Sequence, residues 1–195
     1  MNRTKRYRPG LVLLILAITA IFVLSCAKEK PVGDVFNKGI PGNNSADLLR
    51  RVSADVVSLK PDLVIVMVGT NDLLNTRKML SVSDYYNNMS QLTDSLLQHG
   101  ISVVLVSPPT ADSLHLFERH DAALYPATPM QLLENGRDTL RALCKAKDLL
   151  FIDLFGHLKD MGIPEHEKDL IIRNRVNSDS NDGIHFTKEG NQLLA

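Results

Sequence analysis

Apolar residues fall into three patterns along the chain, and each predicts a different element. From Leu11 to Leu24 they run nearly unbroken, interrupted only by Thr19, behind the basic residues Arg3, Lys5, Arg6 and Arg8. A basic start followed by an apolar run too short for a membrane span predicts a secretory signal. Further on, Leu48, Leu49, Val52, Val56 and Leu59 recur at helical spacing, with Ser45 as the expected N-cap and Pro61 just past the end. Tyr85, Tyr86, Met89, Leu92 and Leu96 form a second helical stripe, closed by Gly100. A third helix is expected to open at Thr128-Pro129, with proline at its favoured first position, and to run to about Lys147. Between these lie continuous apolar runs, Leu63–Val68, Ile101–Val106 and Leu149–Ile152, as expected for strands covered on both faces. Val35–Phe36 is a possible earlier strand.

Strands alternating with long helices imply right-handed βαβ units and a parallel sheet with helices on both faces. In such sheets the ligand sits beyond the carboxyl ends of the strands. The loops after Val68, Val106 and Ile152 are therefore the places where chemistry is expected. The stretches 107–127 and 156–186 lack strong periodicity and are expected to form pocket walls.

The N-terminal run ends in Val23-Leu24-Ser25-Cys26, which resembles a bacterial lipobox. That resemblance implies cleavage before Cys26, lipidation of its thiol, and a domain held at the outer side of a bacterial membrane by its lipid. An ordinary signal peptide and an uncleaved anchor are the other readings. The expected organisation is a signal over 1–25, a tether over 26–34 and one domain over 35–195.

Composition fits that division. Of 195 residues 44% are hydrophobic and 23% charged, enough to bury a core and too apolar for wholesale disorder. The formal charge is zero, from 22 basic and 22 acidic residues, which argues against a nucleic-acid partner. All four basic residues of 1–25 would leave with the signal, so the remainder carries 18 positive charges against 22 negative. Two cysteines make neither a disulfide scaffold nor a zinc site, and Cys144 lies in the apolar pattern of Leu140 and Leu143 as a core residue.

Three short segments can carry chemistry. After the run Leu63–Val68 comes Gly69-Thr70-Asn71-Asp72, where an asparagine amide can point into the crevice; a plain turn and N-cap is the alternative. Near the C-terminus, Asp182-Gly183-Ile184-His185 lets a carboxylate reach the imidazole Nδ1–H and leave Nε2 as a general base. Between Val35–Phe36 and the first helix lies Asn37-Lys38-Gly39-Ile40-Pro41-Gly42-Asn43-Asn44-Ser45, in which Gly42 can bring a backbone N–H close to a ligand. His115, His120, His157 and His166 show no ligand spacing, so no metal is expected, and they read as surface or pocket-wall residues.

In this order the three segments, NKGIPGNNSADLL, VIVMVGTND and DGIHFTKEGNQLLA, resemble blocks II, III and V of the SGNH (GDSL-like) hydrolase family. The resemblance runs from about Val35 to Ala195. It implies a flavodoxin-like three-layer α/β/α sandwich with a parallel sheet. It also implies Gly42 and Asn71 as oxyanion-hole donors, and Asp182 and His185 as the acid and base of a catalytic triad. The implied activity is serine-dependent hydrolysis of acyl esters of carbohydrates or lipids, with no cofactor.

Block I of that family, a strand followed by Gly-Asp-Ser that supplies the nucleophile, has no counterpart here. Gly33-Asp34-Val35 has valine where serine is needed and lies too close to block II. The nucleophile is therefore unknown and the first strand is expected to be missing. Three explanations stand: a shortened gene product, a catalytically inactive binding protein of the same fold, or substitution by another hydroxyl such as Ser45 or Ser107. A sheet lacking a central strand predicts marginal stability or aggregation unless Val32–Asn37 fills the gap.

Overall fold

The computed structural model of the chain describes residues 33–180 and 182–194. The signal segment 1–25 and Cys26 lie outside the described residues. The chain divides into two compact units, residues 1–37 and 38–195. Of the first, residues 33–37 are exposed and without regular structure. The strand expected at Val35–Phe36 is not formed; the two side chains are 90% and 61% exposed. A strand needs a ladder partner for its backbone groups, and none pairs with this segment among the described residues.

The second unit opens with α1 (Ser45–Asp55), continued by a 3-10 turn over Val57–Leu59. Its N-cap is Asn44 rather than Ser45. The Asn44 side chain accepts from the Asp47 N–H while the Asp47 carboxylate accepts from the Asn44 N–H, a closed capping box. Strand β1 (Leu63–Met67) follows, then the short α2 (Thr70–Leu74) and α3 (Val82–Gln98). Next come β2 (Ser102–Val106), α4 (Ser113–Phe117) and α5 (Pro129–Lys147). Helix α5 begins as expected, with Thr128 Oγ1 accepting from the Gln131 N–H and proline in the first turn. The described chain closes with β3 (Leu150–Ile152), α6 (Leu154–Asp160), α7 (Arg175–Ser178) and α8 (Lys188–Leu193).

The three strands form one parallel sheet in the order β1-β2-β3, with Ile65 beside Val104 and Val104 beside Leu150. Helices lie on both sides. On one side Val66, Val103 and Leu105 pack into a core with Tyr85, Met89, Leu92 and Leu96 of α3 and Leu140, Leu143 and Cys144 of α5. Cys144 is the core residue its pattern predicts. On the other side Val106 packs with Leu154 and Leu158 of α6, Ile163 and Ile172.

The second face is only partly covered. Along β1, Leu63, Ile65 and Met67 are 50%, 63% and 48% exposed, and on β3 Leu150 and Ile152 are 72% and 50% exposed. This corrects the expectation that the apolar runs are covered on both faces. The register puts these five side chains on one surface, because residues opposite each other in a parallel ladder point the same way. Among the described residues β1 is paired on one side only.

Candidate active site

The first half of the site is assembled at the carboxyl end of β1. Gly42 sits in an exposed turn with φ of 78°, a conformation that favours glycine over any residue with a Cβ. Asn71, in the first turn of α2, donates from Nδ2 to the Asn43 carbonyl at 3.0 Å, which holds its amide beside Gly42. Lys78 Nζ donates to the Gly42 carbonyl at 3.0 Å and pairs with Asp47, fixing the same turn from the solvent side.

A buried strut ties these two segments together. Asp72 is fully buried, and its carboxylate accepts from the Ser45 N–H at 3.0 Å and 3.1 Å and from the Ser45 hydroxyl. Burial pushes the Asp72 carboxyl above its ordinary value, and the hydrogen bonds from Ser45 offset part of that rise. Asn88 Nδ2 donates to the Ser45 hydroxyl at 3.0 Å, which brings α3 into the same network. In the Gly69-Thr70-Asn71-Asp72 loop the sequence offered Asp72 no more than a turn or cap role, and it is the structural tie between the two segments.

The second half is the loop Asp182-Gly183-Ile184-His185. Asp182 is 7% exposed, whereas the His185 side chain is 65% exposed. The His185 Nδ1 lies 2.8 Å and 2.9 Å from the two Asp182 carboxylate oxygens, and the backbone N–H groups of Ile184 and His185 donate to Oδ1 as well. Burial raises the Asp182 carboxyl, but the hydrogen bonds from the His185 ring and the two N–H groups outweigh it and hold the group well below the usual carboxylate range. An ionised carboxylate on Nδ1 fixes the ring so that Nε2 faces outward, as a general base requires.

This loop is docked on the segment that follows β2. The Asp112 N–H donates to the Gly183 carbonyl at 2.8 Å, and the Arg119 guanidinium donates to the Asp182 carbonyl at 2.6 Å. Behind the loop, the Gly183 N–H donates to the Arg173 carbonyl and the Arg173 N–H to the His185 carbonyl. Gly183 has φ of 71°, and a Cβ there would stand 2.6 Å from the Asp112 carbonyl oxygen, so only glycine fits.

The two halves share an intermediary in residues 113–125. His120 Nδ1 meets Thr76 Oγ1 at 2.9 Å and the Tyr125 hydroxyl donates to the Leu74 carbonyl at 2.7 Å, while Arg119 holds Asp182. No described hydrogen bond joins Asn71 or Gly42 directly to His185.

Neither serine considered as a substitute nucleophile is available. Ser45 is fully buried with its hydroxyl on Asp72, and Ser107 is fully buried, accepting from the Phe155 N–H at 2.8 Å. No described hydroxyl bonds His185.

The histidines divide differently from their sequence reading. His120 and His157 are at or near the surface, but His115 is 1% exposed and therefore neither a surface nor a pocket-wall residue. His166 lines a cleft of about 410 Å³ with Asp112, Met130, Lys159 and Ile163, so the stretches 107–127 and 156–186 do supply pocket walls.

Residues 23–193 match the profile of the GDSL-like Lipase/Acylhydrolase family. The chain is 24% identical over 172 residues to the lipoprotein YqeF of Bacillus subtilis (strain 168), covering 83% of this chain and 70% of that protein. Over 107 residues it is 51% identical to an acetylxylan esterase of Geobacillus stearothermophilus, which is 55% of this chain and 42% of the esterase. Its fold matches that of a lipase/acylhydrolase from Enterococcus faecalis with a TM-score of 0.66 at 24% identity, over 96% of this chain and 81% of the other.

Proposed function

From the premise that the chain belongs to the GDSL-like lipase/acylhydrolase family, we propose that it handles acyl esters at the site built by Gly42, Asn71, Asp182 and His185. His185 Nε2 would take the proton of a nucleophilic hydroxyl, a group that none of the described residues brings to it, and Asp182 would stabilise the imidazolium that forms. The Gly42 N–H and the Asn71 amide donate to the oxyanion as the carbonyl becomes tetrahedral. Losing one such donor typically costs about 3 kcal/mol of transition-state stabilisation. The observation that carries this reading is the buried, ionised Asp182 on Nδ1 of an exposed His185.

The substrate class is an acetylated carbohydrate, a reading supported by the acetylxylan esterase relative. Lipidation of Cys26 would hold the domain at a membrane surface, a reading supported by the Bacillus relative named a lipoprotein. No helix among the described residues is long and apolar enough to cross a membrane.

A second reading, a silent module that binds acyl esters without turning them over, is favoured by one observation: the Ser45 and Ser107 hydroxyls are both buried and engaged. Hydrolysis of p-nitrophenyl acetate by the full chain separates the two. Turnover that disappears in His185→Ala supports the esterase. Absence of turnover, with retained binding of an acetylated xylooligosaccharide, supports the silent module.

A further inference from the structure

Asp112 and His115, three positions apart at the start of α4, meet His166, 54 positions beyond Asp112, behind the Asp182–His185 loop. One ligating atom from each can be chosen so that all three lie within 4.8 Å of one another. His166 Nδ1 is 2.7 Å from Asp112 Oδ2, and His115 Nε2 is 3.9 Å from the same oxygen. The two imidazole rings stack with centroids 4.6 Å apart.

The second observation is His115 itself. It is 1% exposed, and neither ring nitrogen has a hydrogen-bond partner. A buried imidazole with two unsatisfied nitrogens is expensive to keep, and such groups call for an explanation, an ion among them. Its Nδ1 faces the Glu118 carboxylate at 3.4 Å, outside hydrogen-bond geometry but on the side where a carboxylate orients a metal-ligating histidine. Its Nε2 faces Asp112.

We propose that Asp112, His115 and His166 form a binding site for a divalent transition cation of the zinc class. The donors would be one carboxylate oxygen, His115 Nε2 and His166 Nδ1. Two imidazoles and a carboxylate are a donor set that suits zinc, with a fourth position left for water. Ligand atoms about 2.0–2.1 Å from zinc in a tetrahedron stand roughly 3.4 Å apart, which lies between the two spacings observed here. The cleft lined by Asp112 and His166 gives the ion a route in.

The site bears on the neighbouring loop. The Asp112 N–H holds the Gly183 carbonyl, and the space where a Gly183 Cβ would be is bounded by the His115 Cβ at 3.1 Å. An ion bound here would brace the segment that positions Asp182 and His185 without touching the reacting atoms. The proposal is independent of whether the chain turns over an ester.

The test is metal binding by the full chain, stripped with a chelator and then titrated with ZnCl2 by calorimetry and with CoCl2 by visible absorption. About one equivalent of zinc is expected, with a tetrahedral cobalt spectrum displaced by zinc. His166→Ala, at a half-exposed position, should weaken zinc binding by roughly a hundredfold or more and abolish the cobalt band. His157→Ala and His185→Ala should retain both. Absence of the cobalt band in the wild-type chain would overturn the proposal, whatever the variants do. So would zinc affinity unchanged in His166→Ala.

Discussion

Replacing Asp72 should damage this protein more through what it strands than through the carboxylate it removes. Asp72 and Ser45 are both fully buried, and Asp72 is the acceptor for the Ser45 N–H and hydroxyl. In Asp72→Ala both donors lose their partner where water does not reach. Each unsatisfied buried group costs about 1–3 kcal/mol, so the sum is roughly 2–6 kcal/mol, a large fraction of the 5–15 kcal/mol typical of a domain. Asp72→Asn keeps an acceptor oxygen and removes a charge that burial already disfavours, so its cost should stay near about 1 kcal/mol. Urea unfolding followed by far-UV circular dichroism measures both. The pH dependence adds an independent check. Because the folded Asp72 carboxyl is raised above its ordinary value of 3.8, the folded state binds the proton more tightly. The stability of wild type relative to Asp72→Asn should therefore rise as the pH falls through the folded value, and level off below the unfolded one. Asp72→Ala within about 0.5 kcal/mol of wild type, or Asp72→Asn the worse of the two, would refute the strut.

Three other outcomes are expected. Asp182 has the opposite sign: its folded carboxyl is depressed, so its contribution is present above the ordinary carboxylate range and is lost as the pH falls through that range towards the folded value. Asp182→Asn should accordingly flatten the acid side of the stability profile, measured as melting temperature against pH. Burial pushes the Cys144 thiol up to about 11, so iodoacetamide near pH 8 should leave the native thiol unmodified and label it on unfolding in urea. Ile65→Lys and Leu150→Lys, on the exposed apolar sheet face, should raise the soluble fraction and reduce dye binding to apolar surface; equal aggregation in wild type and double variant would show that the face is not the adhesive one.

Local periodicity made most of the elements legible. Thr128-Pro129 fixes the start of α5 because a cap and a proline act within one turn, and the apolar runs at β1, β2 and β3 need only their own residues to be recognised. Burial on both faces was not legible, since an apolar run records what a strand suits rather than what lies over it. Leu63, Ile65 and Met67 show the difference. The Asp182–His185 pair was readable because it closes over three residues. The convergence of Asp112, His115 and His166 was not, because it depends on how the segment after β2 meets the one after α6. Asn44 took the N-cap from Ser45 for a similar reason: Ser45 is drawn to Asp72, 27 positions away, and the cap moved back by one residue.

Bonds between loops, the Ser45–Asp72 bond among them, keep the proposed site's form on the three strands of the described residues. The oxyanion half is held by Asp72 on Ser45 and by Asn71 on the Asn43 carbonyl; the base half is held by Asp112 on Gly183 and Arg119 on Asp182. None of these bonds uses the unpaired edge of β1. Strand pairing at that edge would satisfy its backbone groups and cover apolar surface, contributing to stability, while site geometry is set by bonds between loops at the carboxyl ends of the strands. The exposed sheet face and the site geometry are thus separable in this chain. Substitutions on the exposed sheet face should change solubility and leave the Asp182–His185 pair alone, whereas those at Asp72 and Gly183, which bond or pack against the site's own segments, should move the site itself.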